Sequence, residues 1–153
     1  MNYTFKYFKE LTGIELYSIY YLRCLVFVLE QNCPYQDVDE NDLIAEHLMV
    51  LEKDRLIAYA RILAPDQASN YPRIGRVVVH PDFRGKKLGQ SLMKRAIEKC
   101  KQDYPGLDIK ISAQNHLQNF YKELGFVSVG EVYLEDNIPH IAMKLHHVSS
   151  LIA

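Results

Sequence analysis

Residues 77–89 read Val-Val-Val-His-Pro-Asp-Phe-Arg-Gly-Lys-Lys-Leu-Gly, and the other elements of the chain are organised around this stretch. An apolar strand ends at Pro81, a short turn follows, and a helix begins with Gly89 still inside its first turn. Glycine costs a helix about 1 kcal/mol relative to alanine, so its presence there indicates a backbone that a ligand approaches closely. Helix N-termini carry unpaired N–H donors and partial positive charge. The stretch predicts a strand–loop–helix cradle for an anion, with added charge from Lys86 and Lys87.

Two well-known phosphate motifs are absent from this stretch. It contains neither the Gly-x-x-x-x-Gly-Lys-Ser/Thr pattern of a P-loop nor the Gly-x-Gly-x-x-Gly pattern of a dinucleotide site. By composition alone, the stretch is also compatible with an ordinary solvated turn.

Length, charge and cysteine usage limit the class of protein. A chain of 153 residues fits one domain, here with a core of about residues 3–145. The net charge is −1, and the positive charge is concentrated around residues 84–95, so we expect a small anionic ligand and no nucleic acid. The longest apolar run, 25–29, is too short for a membrane span. The three cysteines lack Cys-x-x-Cys spacing, which predicts reduced thiols in the cytoplasm and no metal site.

The hydrophobic periodicity predicts an α+β (mixed α/β) fold with helices flanking a mostly antiparallel twisted sheet. The predicted strands are residues 3–8, 47–53, 56–64, 74–79, 107–113, 127–134 and 138–145. The predicted helices are 14–29, as one helix or two, 87–103 and 116–124. Hairpin turns are expected at Asp54-Arg55 and Asp136-Asn137, and Gly125 is expected to end the last helix. Three consecutive valines in strand 74–79 indicate burial on both faces or a bulge. The tail from residue 146 is expected to fray.

An acidic segment, residues 30–42, has two interpretations. It is either a solvated loop or a loop whose carboxylates attract a cationic amine. It mimics the start of a calcium loop but fails at Asp42 and Leu48, where such a loop needs glycine and glutamate. Three arginines are expected to pair with this loop or with a carboxylate of a substrate; they are Arg23, Arg61 and Arg76.

Residues 84–89 resemble the Arg/Gln-x-x-Gly-x-Gly/Ala loop of the GNAT acetyltransferases. Arg84 and Gly89 match, whereas Lys87 stands where the family usually has its first glycine. Residues 120–126, Phe-Tyr-Lys-Glu-Leu-Gly-Phe, resemble a second segment of that family, Tyr-x-x-x-Gly-Phe. Segments such as Glu-Gln-Asn-Cys-Pro-Tyr-Gln-Asp at 30–37 resemble the ElaA-like branch of the family, so the resemblance extends over nearly the whole chain.

The resemblance implies a site for acetyl-CoA. It implies that the backbone of Val77, Val78 and Val79 pairs with the pantetheine arm and polarises the thioester, and that strands 74–79 and 107–113 splay apart to admit that arm. The pyrophosphate is expected on the loop formed by Arg84, Gly85, Lys86, Lys87, Leu88 and Gly89. Gln114 stands where many relatives have an asparagine that contacts the arm, and Asn119 is expected either to contact the cofactor or to lie on the helix surface.

The catalytic groups are less well defined by the sequence. Tyr121 matches the family's general acid, and packing beside Phe120 and Phe126 is its alternative role. Three candidates for the general base are Glu30, His116 and His140, each with a structural role as the alternative; a water chain is a further option. Partial burial is expected to raise the pKa of Glu30.

The sequence therefore predicts transfer of an acetyl group from acetyl-CoA to an amine of a small molecule or peptide. The alternatives are a non-catalytic acyl-CoA sensor and a protein-interaction module on the same fold. Relatives in this family often form homodimers, so a homodimer is an expectation that comes from the resemblance alone.

Overall fold

The computed structural model describes residues 1–148 and has a mixed eight-stranded sheet at its centre. The strands are β1 (Asn2–Tyr7), β2 (Glu46–Glu52), β3 (Arg55–Leu63), β4 (Arg73–Val79), β5 (Ile109–Gln114), β6 (Val127–Ser128), β7 (Tyr133–Glu135) and β8 (Ile138–Leu145). Their order is β1-β2-β3-β4-β5-β8-β6, and β7 also pairs with β8. The β4–β5 pair is parallel and the other pairs are antiparallel, which confirms the predicted fold class. The predicted tail beyond residue 148 lies outside the described residues.

Helix α2 (Leu88–Asp103) covers one face of the sheet. Its apolar residues recur at helical spacing and are all buried; they are Leu88, Leu92, Met93, Ala96, Ile97 and Cys100. They pack against the inward-facing residues of β2, β3, β5 and β8 in the main core. Each buried leucine, isoleucine or methionine of this face contributes about 1.5–3 kcal/mol, so the face fixes the position of the helix. The predicted helix is confirmed, and its start lies one residue later than expected.

Helix α1 (Gly13–Arg23) covers the opposite face over the first half of the sheet. Ile19 and Leu22 pack there against Tyr59 and Val78. Val77 and Val79 instead pack against the core on the α2 side. Strand β4 is therefore buried on both faces, as its three valines predict.

The predicted long helix 14–29 changes its winding after Arg23. Residues Cys24–Glu30 form a π-helical continuation, in which the N–H of Gln31 donates to Val26 O (3.1 Å). Thr12 caps the start of α1 by accepting from the N–H of Glu15 (3.1 Å). π-Helical turns are frequent at functional sites, and this one brings the end of the helical segment to the edge of β4.

Two predicted turns have different outcomes. The final hairpin turns at Asp136 and Asn137, whose φ angles are 51° and 62°, as predicted. The β2–β3 hairpin turns at Lys53 and Asp54 (φ 49° and 64°), so the prediction of Asp54-Arg55 is wrong by one residue. A two-residue turn of this kind needs two left-handed residues, and Arg55 already belongs to β3.

The last half of the sheet differs from the prediction in one further element. The predicted strand 127–134 is two short strands, β6 and β7, separated at Gly130 (φ 89°). A short helix α3 (Gln118–Glu123) follows β5 and ends at Gly125 (φ 99°), as predicted. Within the described residues, no helix has the length and apolar character that crossing a bilayer requires.

Candidate active site

Strands β4 and β5 diverge, and the gap between them is the centre of the site. Their register contains the single pair Arg73–Lys110, at the start of both strands. Beyond it, a bulge at Arg76 (φ 50°) bends β4 away from β5. The predicted splaying is confirmed. His80 N–H donates to Ile57 O on the β3 side (2.8 Å), and alternation along the strand then turns the N–H groups of Val77 and Val79 toward the gap.

One end of the gap opens into a cleft of about 520 Å³, which we call the main cleft. This volume lies within the usual range for small-molecule and cofactor sites, about 300–1,000 Å³. Most of the predicted cofactor residues line it; they are Val77, Val78, Val79, Arg84, Gly85, Lys87, Leu88, Gly89 and Gln114. Two others do not line it: Lys86 and Asn119 both have exposed side chains.

The N-terminus of α2 lies at the rim of the main cleft without a side-chain cap. The first hydrogen bond of the helix runs from the Ser91 N–H to Lys87 O. The N–H groups of Leu88, Gly89 and Gln90 therefore have no acceptor within the helix. A Cβ on Gly89 would lie 3.5 Å from the Phe120 ring and 3.8 Å from Val79, so this position faces the cleft wall. The geometry fits an anion at this helix end.

Lys87 has a left-handed backbone, with φ 59° and ψ 22°. Such a conformation costs an L-residue about 1–2 kcal/mol, whereas glycine adopts it readily. A glycine at this position would avoid that cost, which gives a conformational reason for the glycine that the resemblance leads one to expect here.

Arg84 and Glu30 form an ion pair across the mouth of the main cleft. The two guanidinium nitrogens lie 2.7 and 3.0 Å from the two carboxylate oxygens, and Arg84 Nε also donates to Val79 O (3.3 Å). The Arg84 hydrogen bond holds the pKa of Glu30 below its usual value, so the expected rise in its pKa is wrong. A carboxylate with a lowered pKa is a weak proton acceptor at neutral pH.

Tyr121 lies where the main cleft meets a second, smaller cavity. We call this cavity the inner chamber, and it has a volume of about 110 Å³. The ring packs edge-on against Phe120 and Phe126 at centroid distances of 5.0 and 6.0 Å. Burial raises the pKa of Tyr121 to about 12. The predicted packing beside Phe120 and Phe126 is confirmed, and the role of Tyr121 as general acid stays a prediction, for which the hydroxyl is in the required protonated form at neutral pH.

The two candidate histidines lie in different cavities. His116 is exposed and lines the main cleft. His140 is 7% exposed and lines the inner chamber together with Gln114, its partner across β5 and β8. Its Nδ1 lies 2.7 Å from Ile138 O, which can only accept, so Nδ1 carries the hydrogen and neutral His140 keeps a lone pair on Nε2. That nitrogen lies 3.4 Å from Glu135 Oε2.

The acidic segment forms a partly buried ion network and is not a freely solvated loop. Its members are Arg23, Arg61, Arg76, Asp37, Asp39 and Asp42. Asp42 Oδ1 lies 2.7 Å from Arg23 Nη1 and 2.9 Å from Arg61 Nη1. Burial would raise the pKa of Asp42, but these arginines outweigh it and lower that pKa. Pairing of the arginines with the loop is confirmed. Attraction of a cationic amine by the loop stays a prediction: arginines pair with these three carboxylates, and Asp37 also lines the inner chamber.

Sequence reasoning missed much of the inner chamber. Side chains from four separate segments complete its wall; they include Phe27, Gln31, Cys33, Ser112, Glu135 and Ile138. Cys33 Sγ contacts Asp136 O at 3.2 Å, which joins the segment after α1 to the last hairpin. Ser112 hydrogen-bonds to the hydroxyl of Tyr133, and Gln114 donates to Gln31 (3.2 Å). These residues share no single sequence motif. The register of β5, β7 and β8 and the docking of segment 27–33 against those strands bring them together.

Comparison with known proteins gives consistent results. A family model described as an acetyltransferase (GNAT) domain matches residues 24–147. Protein ElaA of Escherichia coli (strain K12) is 49% identical over 137 residues, which cover 88% of this chain and 90% of that protein. The crystal structure of an acyl-CoA N-acyltransferase from Pseudomonas aeruginosa has a TM-score of 0.89 and 46% identity, covering 94% of this chain and 97% of that one. The crystal structure of Escherichia coli ElaA has a TM-score of 0.87 with the same identity and coverage.

Proposed function

Since the chain belongs to the GNAT acetyltransferase family, we propose that it transfers an acetyl group from acetyl-CoA directly to an amine of a small molecule or peptide. The observation that carries the proposal is the position of Tyr121 at the junction of the main cleft and the inner chamber. A group between the two cavities is able to serve a donor on one side and an acceptor on the other. The main cleft is then the site of acetyl-CoA, and the inner chamber receives the amine.

The main cleft offers the contacts that acetyl-CoA needs. The unpaired N–H groups at the start of α2 suit its diphosphate, with Lys87 adding charge at the same rim. The gap-facing N–H groups of Val77 and Val79 suit the carbonyl of the thioester. One preorganised N–H at a developing oxyanion is typically worth about 3–4 kcal/mol, so this edge of β4 is a strong candidate for carbonyl polarisation.

Two protons must move during the transfer. The amine loses one, and we assign its acceptor as His140 Nε2, because the Ile138 carbonyl fixes the hydrogen on Nδ1 and Glu135 stabilises the imidazolium that forms. The departing thiolate gains the other from the Tyr121 hydroxyl. Glu30 is assigned to the Arg84 ion pair and His116 to the rim of the main cleft. All three thiols are free, which supports a reducing, cytoplasmic location.

The direct experiment measures release of the CoA thiol from acetyl-CoA in the presence of a panel of amines. We expect release above the buffer rate for at least one class of amine. Gly89→Glu should abolish it by placing bulk and negative charge beside the diphosphate. Gly89→Ala is the matched control, because its Cβ makes ordinary contacts of 3.5–3.8 Å. If CoA binds but no amine releases it, the protein is an acyl-CoA sensor; if CoA does not bind, it is an interaction module.

A further inference from the structure

A third cavity, of about 490 Å³, continues the inner chamber along the gap toward the start of β4 and β5. We call it the outer groove. It shares six lining residues with the inner chamber; they are Ile74, Gly75, Arg76, Ile111, Ser112 and Glu135. A Cβ on Gly75 would meet nothing within 4 Å, so the shared stretch is open. The chamber and the groove therefore form one passage that is long enough for an extended molecule.

The far end of this passage carries a row of cations on three neighbouring strands. Arg73 of β4 is in register with Lys110 of β5, which in turn lies opposite Lys144 of β8. We call these three residues the cationic row. Like charges directly opposite each other on a sheet destabilise it, so this row has an electrostatic cost that a bound anion would reduce.

The carboxylates near the cationic row leave it a net positive charge. Arg73 is paired with Asp66 (2.7 Å), whereas neither lysine has a carboxylate within 4.0 Å in the described part of the chain. Asp108 lies nearby, but its oxygens accept from His146 and the His147 N–H. Arg73 and Lys110 line the outer groove, and Lys144, whose Nζ lies 4.3 Å from the centre of the Tyr71 ring, is the neighbour of Lys110 on β8. An anion is the ligand that this row would bind.

The opposite end of the passage has the reverse polarity. Glu135 lines both cavities and is half exposed, and it lies against His140 at the inner end. On β5, Gln114 lies opposite His140 at this end of the passage, and Lys110 lies at the cationic end. The two residues are four positions apart along the strand. At about 3.3 Å per residue, the two ends are about 13 Å apart.

We propose that the acceptor is a primary amine that carries an anionic group about 13 Å from its nitrogen, and that the cationic row binds this group while the amine lies beside His140. The inference rests on the proposed acetyl transfer. A peptide of four residues with a free amino terminus and a free carboxylate has the required length, since an extended residue spans at most about 3.3–3.6 Å. An aminoalkyl phosphate of the same length shares the chemistry.

The test compares tetraglycine with its C-terminal amide as acceptors, using CoA release as the readout. The amide removes the negative charge at constant length, and we expect its KM to be at least fivefold higher with kcat nearly unchanged. Diglycine should resemble the amide because it does not reach the row. 8-Aminooctyl phosphate, tested as a third acceptor, shows whether the row binds a phosphate better than a carboxylate. A lower KM for either anion than for the amide supports the proposal.

Two lysine variants locate the effect. Lys110→Gln should remove the preference for the acid over the amide, and Lys94→Gln, an exposed lysine on α2, should preserve it. Equal KM values for acid and amide in the unaltered protein would overturn the inference while leaving acetyl transfer intact. If no amine is acetylated, calorimetric binding of tetraglycine to the CoA-loaded protein still tests the row: binding that depends on Lys110 supports it, and absence of binding overturns it.

Discussion

The ion pair between Glu30 and Arg84 leads to a prediction that separates two roles for Glu30. Arg84 belongs to the loop that we assign to the diphosphate, yet its guanidinium is occupied by the Glu30 carboxylate at 2.7 and 3.0 Å. For Arg84 to contact the diphosphate, this pair must open. Glu30→Gln keeps the shape of the side chain and removes its charge, so we expect the variant to bind CoA more tightly.

The magnitude follows from the exposure of the two partners. Their side chains are 44% and 40% exposed, and exposed ion pairs contribute about 0.2–1 kcal/mol. If the whole of that free energy opposes binding, its removal lowers the Kd of CoA by about 1.4- to 5-fold. The gain should shrink at high salt, because added ions screen a pair at the surface. Since Arg84 lowers the pKa of Glu30, the carboxylate stays charged at neutral pH and the full effect should be present there.

Titration calorimetry at low and high salt measures the change in affinity, and CoA release measures turnover. Glu98→Gln is the control, since Glu98 is an exposed residue of α2 and the variant changes net charge equally. Weaker CoA binding in Glu30→Gln would show that the pair closes over the ligand and does not compete with it. A loss of turnover of a hundredfold or more would instead restore Glu30 as the general base, because loss of such a group typically costs about 10²–10⁴ in rate.

Three further predictions concern single residues. Tyr121→Phe should keep its packing against Phe120 and Phe126, and hence its melting temperature, while turnover falls by about 10²–10⁴; a fall of less than fivefold in the CoA-release assay would exclude it as the acid. Lys87→Gly should be about 1 kcal/mol more stable than Lys87→Ala in urea, because only glycine relieves the left-handed backbone; equal midpoints would refute that strain. Asp42→Asn should destabilise the protein by about 3 kcal/mol at pH 7 by leaving buried arginine charge uncompensated. The pKa of Asp42 is lowered in the folded state, so its carboxylate stabilises the protein fully above about pH 4. This stabilisation is lost as the pH falls through the lowered pKa. The free energies of unfolding of the variant and the unaltered protein should therefore converge at low pH.

Local patterns predicted the parts of the fold that local physics controls. Helix α2 has an apolar stripe of helical period, and that stripe is buried as expected. The valines of β4 indicated either burial on both faces or a bulge, and the strand has both features. The predicted turn is one residue too late because polarity does not distinguish Lys53 from Arg55, whereas pairing places Arg55 in β3 and leaves Lys53 and Asp54 in the turn.

The candidate site was predictable where one loop or one short motif forms it. The rim of the main cleft comes from residues adjacent in sequence, so the resemblance located nearly all of it. The inner chamber and the cationic row depend on strand register across β4, β5 and β8, which no local pattern encodes. The sequence leaves two kinds of partner open for Arg23 and Arg61 for a similar reason. Their ion pairs with Asp42 depend on how segment 30–42 packs against α1 and β3, which the local sequence does not specify.

A crystal structure of the protein with bound CoA tests the central claim most directly, through two distances. We expect diphosphate oxygens within about 3.2 Å of the N–H nitrogens of Leu88 and Gly89, and the thiol sulfur within about 4 Å of the Tyr121 hydroxyl. A diphosphate bound away from the start of α2, or a sulfur on the far side of the gap from Tyr121, would contradict the assignment.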